Sequence, residues 1–142
     1  MNDLEQAITF ATKAHAGQTD KAGETYMRHP LRVMQQMETD RERVVAVLHD
    51  VAEDTPKTLD DIEAKFDVTV REAVDALTRR DSEDTYESFI QRAATNDLAR
   101  GVKIADIEDN MDLTRLSSVN QELLEKQQKY HWAWQYLHSV EE

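Results

Sequence analysis

Hydrophobic residues recur along most of the chain at intervals of three and four positions, which is the spacing of one face of an α-helix. The first such segment has its apolar positions at Leu4, Ala7, Ile8, Ala11 and Ala14. Asn2 or Asp3 can cap this helix, and Gly17 ends it. The same pattern predicts further helices over residues 30–37, 41–54, 59–66, 68–80, 86–94, 97–113 and about 120–139.

The scarcity of residues that break helices favours an all-α fold. The 142 residues include only three glycines and two prolines, and runs of β-branched residues are few. Residues 68–70 could alternatively form a short strand, but the AVDAL sequence that follows restores helical spacing. Residues 44–48 are apolar on every side, so we expect them to form a central, buried helix. With no linker or internal repeat, the chain is predicted to be one helical-bundle domain over residues 1–142.

The charge of the chain excludes several classes of partner. It has 29 acidic and 17 basic residues and a formal net charge of −12, so it repels nucleic-acid polymers and anionic membrane surfaces. A small phosphorylated ligand would need either a metal ion or a few well-placed Lys and Arg side chains. Cysteine is absent, which removes disulfide and thiolate chemistry. No apolar run is long enough to span a membrane and the N-terminus has no signal-peptide pattern, so we expect a cytoplasmic protein.

His49 and Asp50 are the first candidates for chemistry because they lie toward the end of a nearly all-apolar helix, where an unpaired imidazole and carboxylate would be costly to bury. The pair alone could be a hydrogen-bonded helix end. However, Glu53 and Asp54 follow one turn later on the same faces, and the helix dipole disfavours negative charge at this end. Four such groups without a neighbouring Lys or Arg repel each other. A divalent metal ion would resolve this conflict.

Two residues from other segments could complete a metal site. His29 precedes Pro30 at the start of the second predicted helix, and Asp106 lies among apolar residues as though it were buried. Two imidazoles and two carboxylates suit Mn, Fe or Zn and leave positions for water and substrate. Such a metal ion would lower the pKa of bound water and offset the charge of a phosphate. For Asp106 considered alone, an ion pair with Lys103, three residues earlier, is the more common explanation.

Three stretches of the sequence resemble the motifs of one enzyme family. Residues 14–30 read AHAGQTDKAGETYMRHP against AHxGQxRKxGxPYxxHP, residues 48–55 read LHDVAEDT against LHDxxEDT, and residues 103–110 read KIADIEDN against KxADRxxN. They are similar to the HD-domain metal-dependent phosphohydrolases, in particular to the hydrolase domain of the RelA/SpoT alarmone enzymes and their small stand-alone relatives. The resemblance implies an HD-type helical bundle that hydrolyses a phosphoester or pyrophosphate of a nucleotide-like substrate. One candidate activity is that of a (p)ppGpp 3′-pyrophosphohydrolase.

The resemblance also implies a metal centre and a catalytic pair. One divalent metal ion, usually Mn with Fe, Zn, Co and Ni as alternatives, would have as its ligands His29, His49, Asp50 and Asp106. Glu53 and Asp54 would activate the attacking water or handle the proton of the leaving group.

Substrate contacts implied by the resemblance come from several segments. Lys21 would reach the substrate from the first loop, and Asn110 would hold its ribose or phosphate side. Tyr26, Arg79 and Lys103 are weaker candidates. Tyr26 and Lys103 could instead pack or pair structurally.

Four positions depart from the motifs of the family. Asp20 stands where the family has an Arg that stacks on the guanine base, and Thr25 replaces a Pro. Ile107 replaces another Arg, and Asp109 replaces a frequent His. An anion at position 20 should remove the stacking and repel a phosphate. The departures leave open a second interpretation, a non-catalytic nucleotide-binding regulatory module that retains the metal site. A third is a structural bundle without a site. The sequence does not indicate an oligomeric state.

Overall fold

Nine α-helices form the regular structure of residues 1–83 and 85–140, the part of the chain that the computed structural model describes. They are α1 (Asp3–Ala14), α2 (Arg28–Gln35), α3 (Asp40–Leu48), α4 (Val51–Asp54), α5 (Leu59–Lys65), α6 (Val68–Ala76), α7 (Tyr86–Ala94), α8 (Asp97–Asn110) and α9 (Gln121–Val140). These residues contain no β-strand, and one isolated antiparallel bridge joins Thr19 to Thr25. The predicted all-α fold is confirmed.

Side-chain caps explain where several helices begin. Asn2 and Thr58 start α1 and α5 with capping boxes, in which the cap and the third helical residue each accept a backbone N–H from the other. The side chain of Asp67 accepts a backbone N–H at the start of α6. Residues 68–70, for which a strand was the alternative, therefore form the first turn of a helix. α6 and α8 both end sooner than their periodicity predicts.

The prediction of one continuous helix over residues 41–54 is wrong, because the chain forms a turn between α3 and α4. Asp50 has φ −104° and ψ 0°, and the ring of His49 donates from Nδ1 to the carbonyl oxygen of Ala46 at 2.6 Å. In a continuous helix, neighbouring side chains point about 100° apart. The turn instead lets the side chains of His49 and Asp50 reach the same point in the interior.

α3 occupies the centre of the fold, as its apolar sequence predicts. Its residues 44–48 are all buried, and it packs against α1, α2, α6 and α8. A second apolar cluster lies where α7, α8 and α9 meet, and it is built from Phe89, Ile90, Ala94, Ile104, Ile107, Ala133 and Leu137. α8 contributes Ala99, Val102 and Ala105 to the apolar core around α3, and Ile104 and Ile107 to this second cluster. None of the described helices combines the length and the apolar character that crossing a bilayer requires.

Candidate metal centre and substrate cavity

The four residues predicted as metal ligands come together in the interior. His29 lies in the first turn of α2, His49 and Asp50 form the turn between α3 and α4, and Asp106 lies on α8. Each offers one donor atom, and these four atoms lie within 4.8 Å of one another. Two imidazoles and two carboxylates thus meet at one point, although they come from three separate parts of the chain.

The distances between the donor atoms suit a single ion. His29 Nε2 lies 2.9 Å from Asp106 Oδ1, and His49 Nε2 lies 3.3 Å from the same oxygen. His49 Nε2 also lies 3.1 Å from Asp50 Oδ2. Ligand atoms bonded at about 2.1 Å to one ion are about 3.0 Å apart at a right angle and about 3.4 Å apart at the tetrahedral angle. The donor set therefore fits a divalent transition metal in both chemistry and spacing.

Both imidazoles are oriented for metal binding through Nε2, because Nδ1 of each ring is already used as a hydrogen-bond donor. His49 Nδ1 donates to the carbonyl oxygen of Ala46 at 2.6 Å, and His29 Nδ1 donates to Oδ2 of Asp109 at 2.6 Å. A carbonyl or carboxylate oxygen can only accept, so each Nδ1 carries a proton. Nε2 of each ring faces the centre of the cluster.

The electrostatics of the cluster follow from burial and from its mixture of charges. His29, His49 and Asp106 have 6%, 1% and 4% of their surface exposed. Although burial lowers it, Asp50 and Asp106 raise the pKa of His49 well above its ordinary value. Burial acts against the charge of Asp50, but His49 lowers the pKa of Asp50 to about 2. Imidazolium protons thus balance the carboxylates, and a divalent cation could displace those protons and take over the balance.

Lys103 was a weaker candidate for a substrate contact; it lines the cavity beside the cluster, and its ammonium group is also bound to the cluster. Lys103 Nζ donates to Asp106 Oδ2 at 2.8 Å and lies 5.0 Å from the ring centroid of Phe89. The two oxygens of Asp106 are therefore divided, with Oδ1 toward the imidazoles and Oδ2 toward Lys103. Asp106 has both of the partners that the sequence offered as alternatives. The sequence around His49 has no neighbouring Lys or Arg, but Lys103 on α8 supplies a cation beside the cluster.

Tyr26 and Asn110 also contact predicted ligands. The hydroxyl of Tyr26 donates to Asp50 Oδ2, and burial together with the charge of Asp50 raises the pKa of Tyr26 far above its ordinary value. Tyr26 therefore stays a hydrogen-bond donor that fixes the carboxylate of Asp50. Asn110 Nδ2 donates weakly to Asp106 Oδ1 at 3.3 Å. Both residues also line the cavity beside the cluster, so neither is excluded from substrate contact.

Glu53 and Asp54 occupy different positions relative to the cavity. Glu53 lines it, and its Oε1 accepts the backbone N–H of Arg79 at 2.7 Å. Asp54 is not among the lining residues, and its backbone carbonyl accepts from the side-chain amide of Gln18. Burial raises the pKa of both carboxyl groups, and the charge of Asp50 adds to the effect. Glu53 is the better placed of the two to act on a substrate.

The cluster opens into a cavity of about 480 Å³ whose walls combine acidic and basic side chains with apolar surface. The segment after α8 and the start of α9 contribute Leu113, Leu116 and Leu123. Lys21, Arg79 and Lys126 also line it, and none of the three has a carboxylate within ion-pair distance in the described residues. The proximity of the Lys126 ammonium lowers the pKa of Lys21. In a chain with net charge −12, the cavity thus has as many basic as acidic lining residues, and these three cations are free to meet an anionic ligand.

Three further residues of the site, Asp109, Arg32 and Lys126, were not predicted as functional candidates. Arg32 donates to Asp109 through Nε at 2.8 Å and through a terminal nitrogen at 3.1 Å. Although burial raises it, hydrogen bonds from His29 and Arg32 hold the pKa of Asp109 well below its ordinary value. A helical signal was available, since Arg32 follows His29 by three residues and Asp109 follows Asp106 by three. The nearness of Lys126 to Lys21 had no local signal.

Two of the departures from the family motifs have structural roles that sequence analysis did not foresee. Oδ1 of Asp20 accepts the backbone N–H groups of Ala22 and Glu24, each at 2.9 Å, and so closes the loop around Gly23, which has φ +81°. Asp20 lines the cavity, but one of its oxygens is occupied within the loop. Ile107 is fully buried in the second apolar cluster, so this position does not face the cavity.

The class of protein that this fold and site define is the HD domain. Residues 7–130 match the family model described as "HD domain", and the chain belongs to that family. The matched residues include the four donors and all the residues that line the adjoining cavity, together with most of the helical bundle.

Particular relatives then narrow the comparison. The chain is 43% identical over 82 residues to the bifunctional (p)ppGpp synthase/hydrolase SpoT of Escherichia coli K12, which covers 55% of this chain and 12% of that protein. It is 36% identical over 116 residues to a guanosine-3′,5′-bis(diphosphate) 3′-pyrophosphohydrolase of Haemophilus influenzae, covering 72% of this chain and 17% of the relative. The chain thus spans less than a fifth of the length of these curated relatives.

A solved structure supports the same fold. It is described as a metazoan ortholog of SpoT that hydrolyses ppGpp and plays a role in starvation responses. It matches with a TM-score of 0.79 and 24% sequence identity, over 94% of this chain and 84% of that one. This likeness confirms the HD-type helical bundle.

Proposed function

We propose that the chain is a metal-dependent phosphohydrolase that cleaves a phosphoester or pyrophosphate of a nucleotide-like substrate. The observation that carries the proposal is the convergence of four donor atoms within 4.8 Å at one end of a cavity that also has free cationic side chains. A metal-ligand set alone would also suit a structural site. A cavity with free positive charge beside it is what a small anionic substrate requires.

His29, His49, Asp50 and Asp106 would hold one divalent ion. Mn is the first choice, in keeping with the mixed imidazole and carboxylate donors, and Fe, Zn, Co and Ni are alternatives. When bound, such an ion polarises a phosphoryl oxygen and lowers the pKa of a bound water. Tyr26 would keep Asp50 in its orientation, and Lys103 would do the same for Asp106.

Glu53 would accept the proton of the attacking water. Burial raises its pKa toward the working range of a general base. The backbone N–H of Arg79 occupies Oε1 of Glu53 at 2.7 Å and so leaves Oε2 for the water. Asp54 would assist from outside the cavity wall, because its negative charge further raises the pKa of Glu53.

The remaining cavity residues would bind the substrate by its charge and its apolar parts. Lys21, Arg79 and Lys126 would contact phosphate oxygens, and Asn110 would donate to a ribose or phosphate oxygen. The apolar segment with Leu113, Leu116 and Leu123 would receive the base. Guanosine tetraphosphate is the first substrate to test, because the relatives are named as guanosine-3′,5′-bis(diphosphate) 3′-pyrophosphohydrolases.

Three further expectations remain predictions of the sequence: one domain over residues 1–142, a cytoplasmic location, and no action on nucleic-acid polymers. The net charge of −12 supports the last of these. The proposal does not depend on an oligomeric state.

The proposal is tested by metal-stripped protein reconstituted with Mn²⁺ and incubated with a nucleotide panel that includes guanosine tetraphosphate. We expect Mn-dependent release of pyrophosphate or phosphate from at least one nucleotide. His49→Ala should lose this activity by more than the roughly 100-fold that changes around metal ligands cost. His131→Ala, which alters an exposed histidine on α9 outside the cavity, should keep it.

Two results would count against the proposal. Turnover that persists in His49→Ala would mean that the four-donor cluster is not the reaction centre. Tight nucleotide binding with no product from any member of the panel would favour the regulatory binding module.

A further inference from the structure

Asp109 links the cluster of metal-donor side chains to two arginines. Its Oδ2 accepts from His29 Nδ1 at 2.6 Å, and Arg32 donates to both of its carboxylate oxygens at 2.8 and 3.1 Å. Arg115, from the segment between α8 and α9, donates to the backbone carbonyl of Asp109 at 3.1 Å and lies 3.5 Å from Oδ2. Asp109 contributes no donor atom to the cluster itself.

The contact with His29 distinguishes Asp109 from an ordinary ion-pair partner. His29 is 6% exposed, and Asp109 Oδ2 is the hydrogen-bond partner of its Nδ1 among the described residues. An arginine pair that only joined α2 to α8 would not need this third contact. A carboxylate on the far nitrogen of an imidazole fixes the ring and its tautomer and makes the near nitrogen a stronger ligand.

We propose that Asp109 is a positioning residue of the metal centre: it holds His29 with Nε2 toward the metal, while Arg32 and Arg115 hold Asp109. The inference rests on the metal site of the proposed function. It assigns a role to a residue that sequence analysis treated only as a departure from a motif.

The position of Arg115 extends this role to the substrate cavity. Arg115 also pairs with Asp112 at 3.1 Å, and both residues line the cavity together with Leu113. The wall formed by this segment is therefore joined to His29 through Asp109. Loss of the Asp109 charge should disturb metal binding first and this cavity wall second.

The test measures Mn²⁺ affinity by titration calorimetry in metal-stripped protein. Asp109→Asn keeps the shape of the side chain but removes its charge, and it should weaken Mn²⁺ binding by about 10- to 100-fold. Asp75→Asn is the matched control, because Asp75 also accepts from an arginine, Arg80, through both carboxylate oxygens but lies outside the cavity and does not contact His29. Its Mn²⁺ affinity should equal that of the wild type.

A purely structural role for Asp109 predicts a different result. Asp109→Asn would then lower the thermal midpoint of the stripped protein and bind Mn²⁺ with wild-type affinity, which would overturn the proposal. If that variant does not fold, Arg32→Gln decides the question, since it keeps the Asp109–His29 hydrogen bond but loosens Asp109. We expect Arg32→Gln to weaken Mn²⁺ binding by a smaller factor, and unchanged affinity would contradict the inference.

Failure of this inference can be separated from failure of the proposed function. Wild-type protein that binds Mn²⁺ but hydrolyses nothing would refute the phosphohydrolase and leave the role of Asp109 intact. Turnover by the wild type, together with equal Mn²⁺ affinities in wild type and Asp109→Asn, would support the phosphohydrolase and refute the role of Asp109. A wild-type chain that binds no metal would overturn both.

Discussion

Replacement of Lys103 by Met should destabilise the metal-free protein and have little effect on substrate affinity. Lys103 Nζ donates to Asp106 Oδ2 at 2.8 Å, and the side chains of the two residues are 13% and 6% exposed. Met keeps most of the apolar stem and its contact with Phe89. The change therefore removes mainly the charge, and Asp106 Oδ2 is left without the ammonium group that donates to it.

The size of the effect follows from the burial of the pair. Removal of one partner from a buried ion pair costs about 3–5 kcal/mol. The lower value, about 3 kcal/mol, applies because Asp106 keeps His29 and His49 on its other oxygen. At about 2.1 cal/mol/K per residue, unfolding of 142 residues has an entropy of about 0.3 kcal/mol/K. The thermal midpoint should therefore fall by about 10 °C.

Thermal unfolding of metal-stripped protein, followed by circular dichroism, measures this directly. Lys129→Met is the control, since Lys129 is exposed on α9 and lies outside the cavity, and its midpoint should not change. Mn²⁺ should stabilise Lys103→Met at least as much as the wild type, because the ion then supplies the missing positive charge. The reasoning is refuted if Lys103→Met unfolds at the wild-type temperature while KM for the substrate rises, which would make Lys103 a substrate contact.

Three further predictions concern pH, the cavity and the core. The pKa values of His29 and His49 are raised in the metal-free fold, so their contribution to stability is complete below about pH 6.5 and is lost as the pH rises through the raised values. The increase in thermal midpoint caused by Mn²⁺ should therefore grow from about pH 6 to about pH 8. An increase that shrinks over this range would contradict the prediction. Lys21→Ala and Lys126→Ala should each raise KM about fivefold, or about 1 kcal/mol, with kcat nearly unchanged; a selective fall in kcat would place them in the chemical step instead. Ile107→Arg should lower the free energy of unfolding, measured by urea titration, by at least about 3 kcal/mol, because position 107 is fully buried in an apolar cluster. Wild-type stability would mean that position 107 can face solvent.

The parts of the molecule that depend on local sequence were predictable. The cap at Asn2 begins α1, the cap at Thr58 begins α5, and the apolar residues 44–48 form the buried centre of α3. Each of these features depends on residues within about one helical turn. The motifs around His29, His49 and Asp106 pointed to a common metal centre, because a resemblance to a family carries its three-dimensional arrangement with it.

The features that were not predicted depend either on contacts between distant segments or, at His49, on a side-chain bond within one helical turn. His29 and Asp109 are 80 residues apart in the chain, and no periodicity links them. The turn at His49 depends on its own ring, which bonds back to Ala46 and interrupts a helix that propensity alone would continue. Ile107 could not be assigned to the core without the packing of α7 and α9 on α8.

The most direct test of the account is the rate of guanosine tetraphosphate hydrolysis measured against the amount of Mn²⁺ bound per chain. The four donor atoms form a site for a single ion, so the rate should rise in proportion to bound Mn²⁺ and reach its plateau at one ion per chain. His49→Ala should neither bind the ion nor turn over. Hydrolysis that does not depend on bound metal, or a wild-type chain that binds none, would contradict the proposal that this HD domain is a metal-dependent phosphohydrolase.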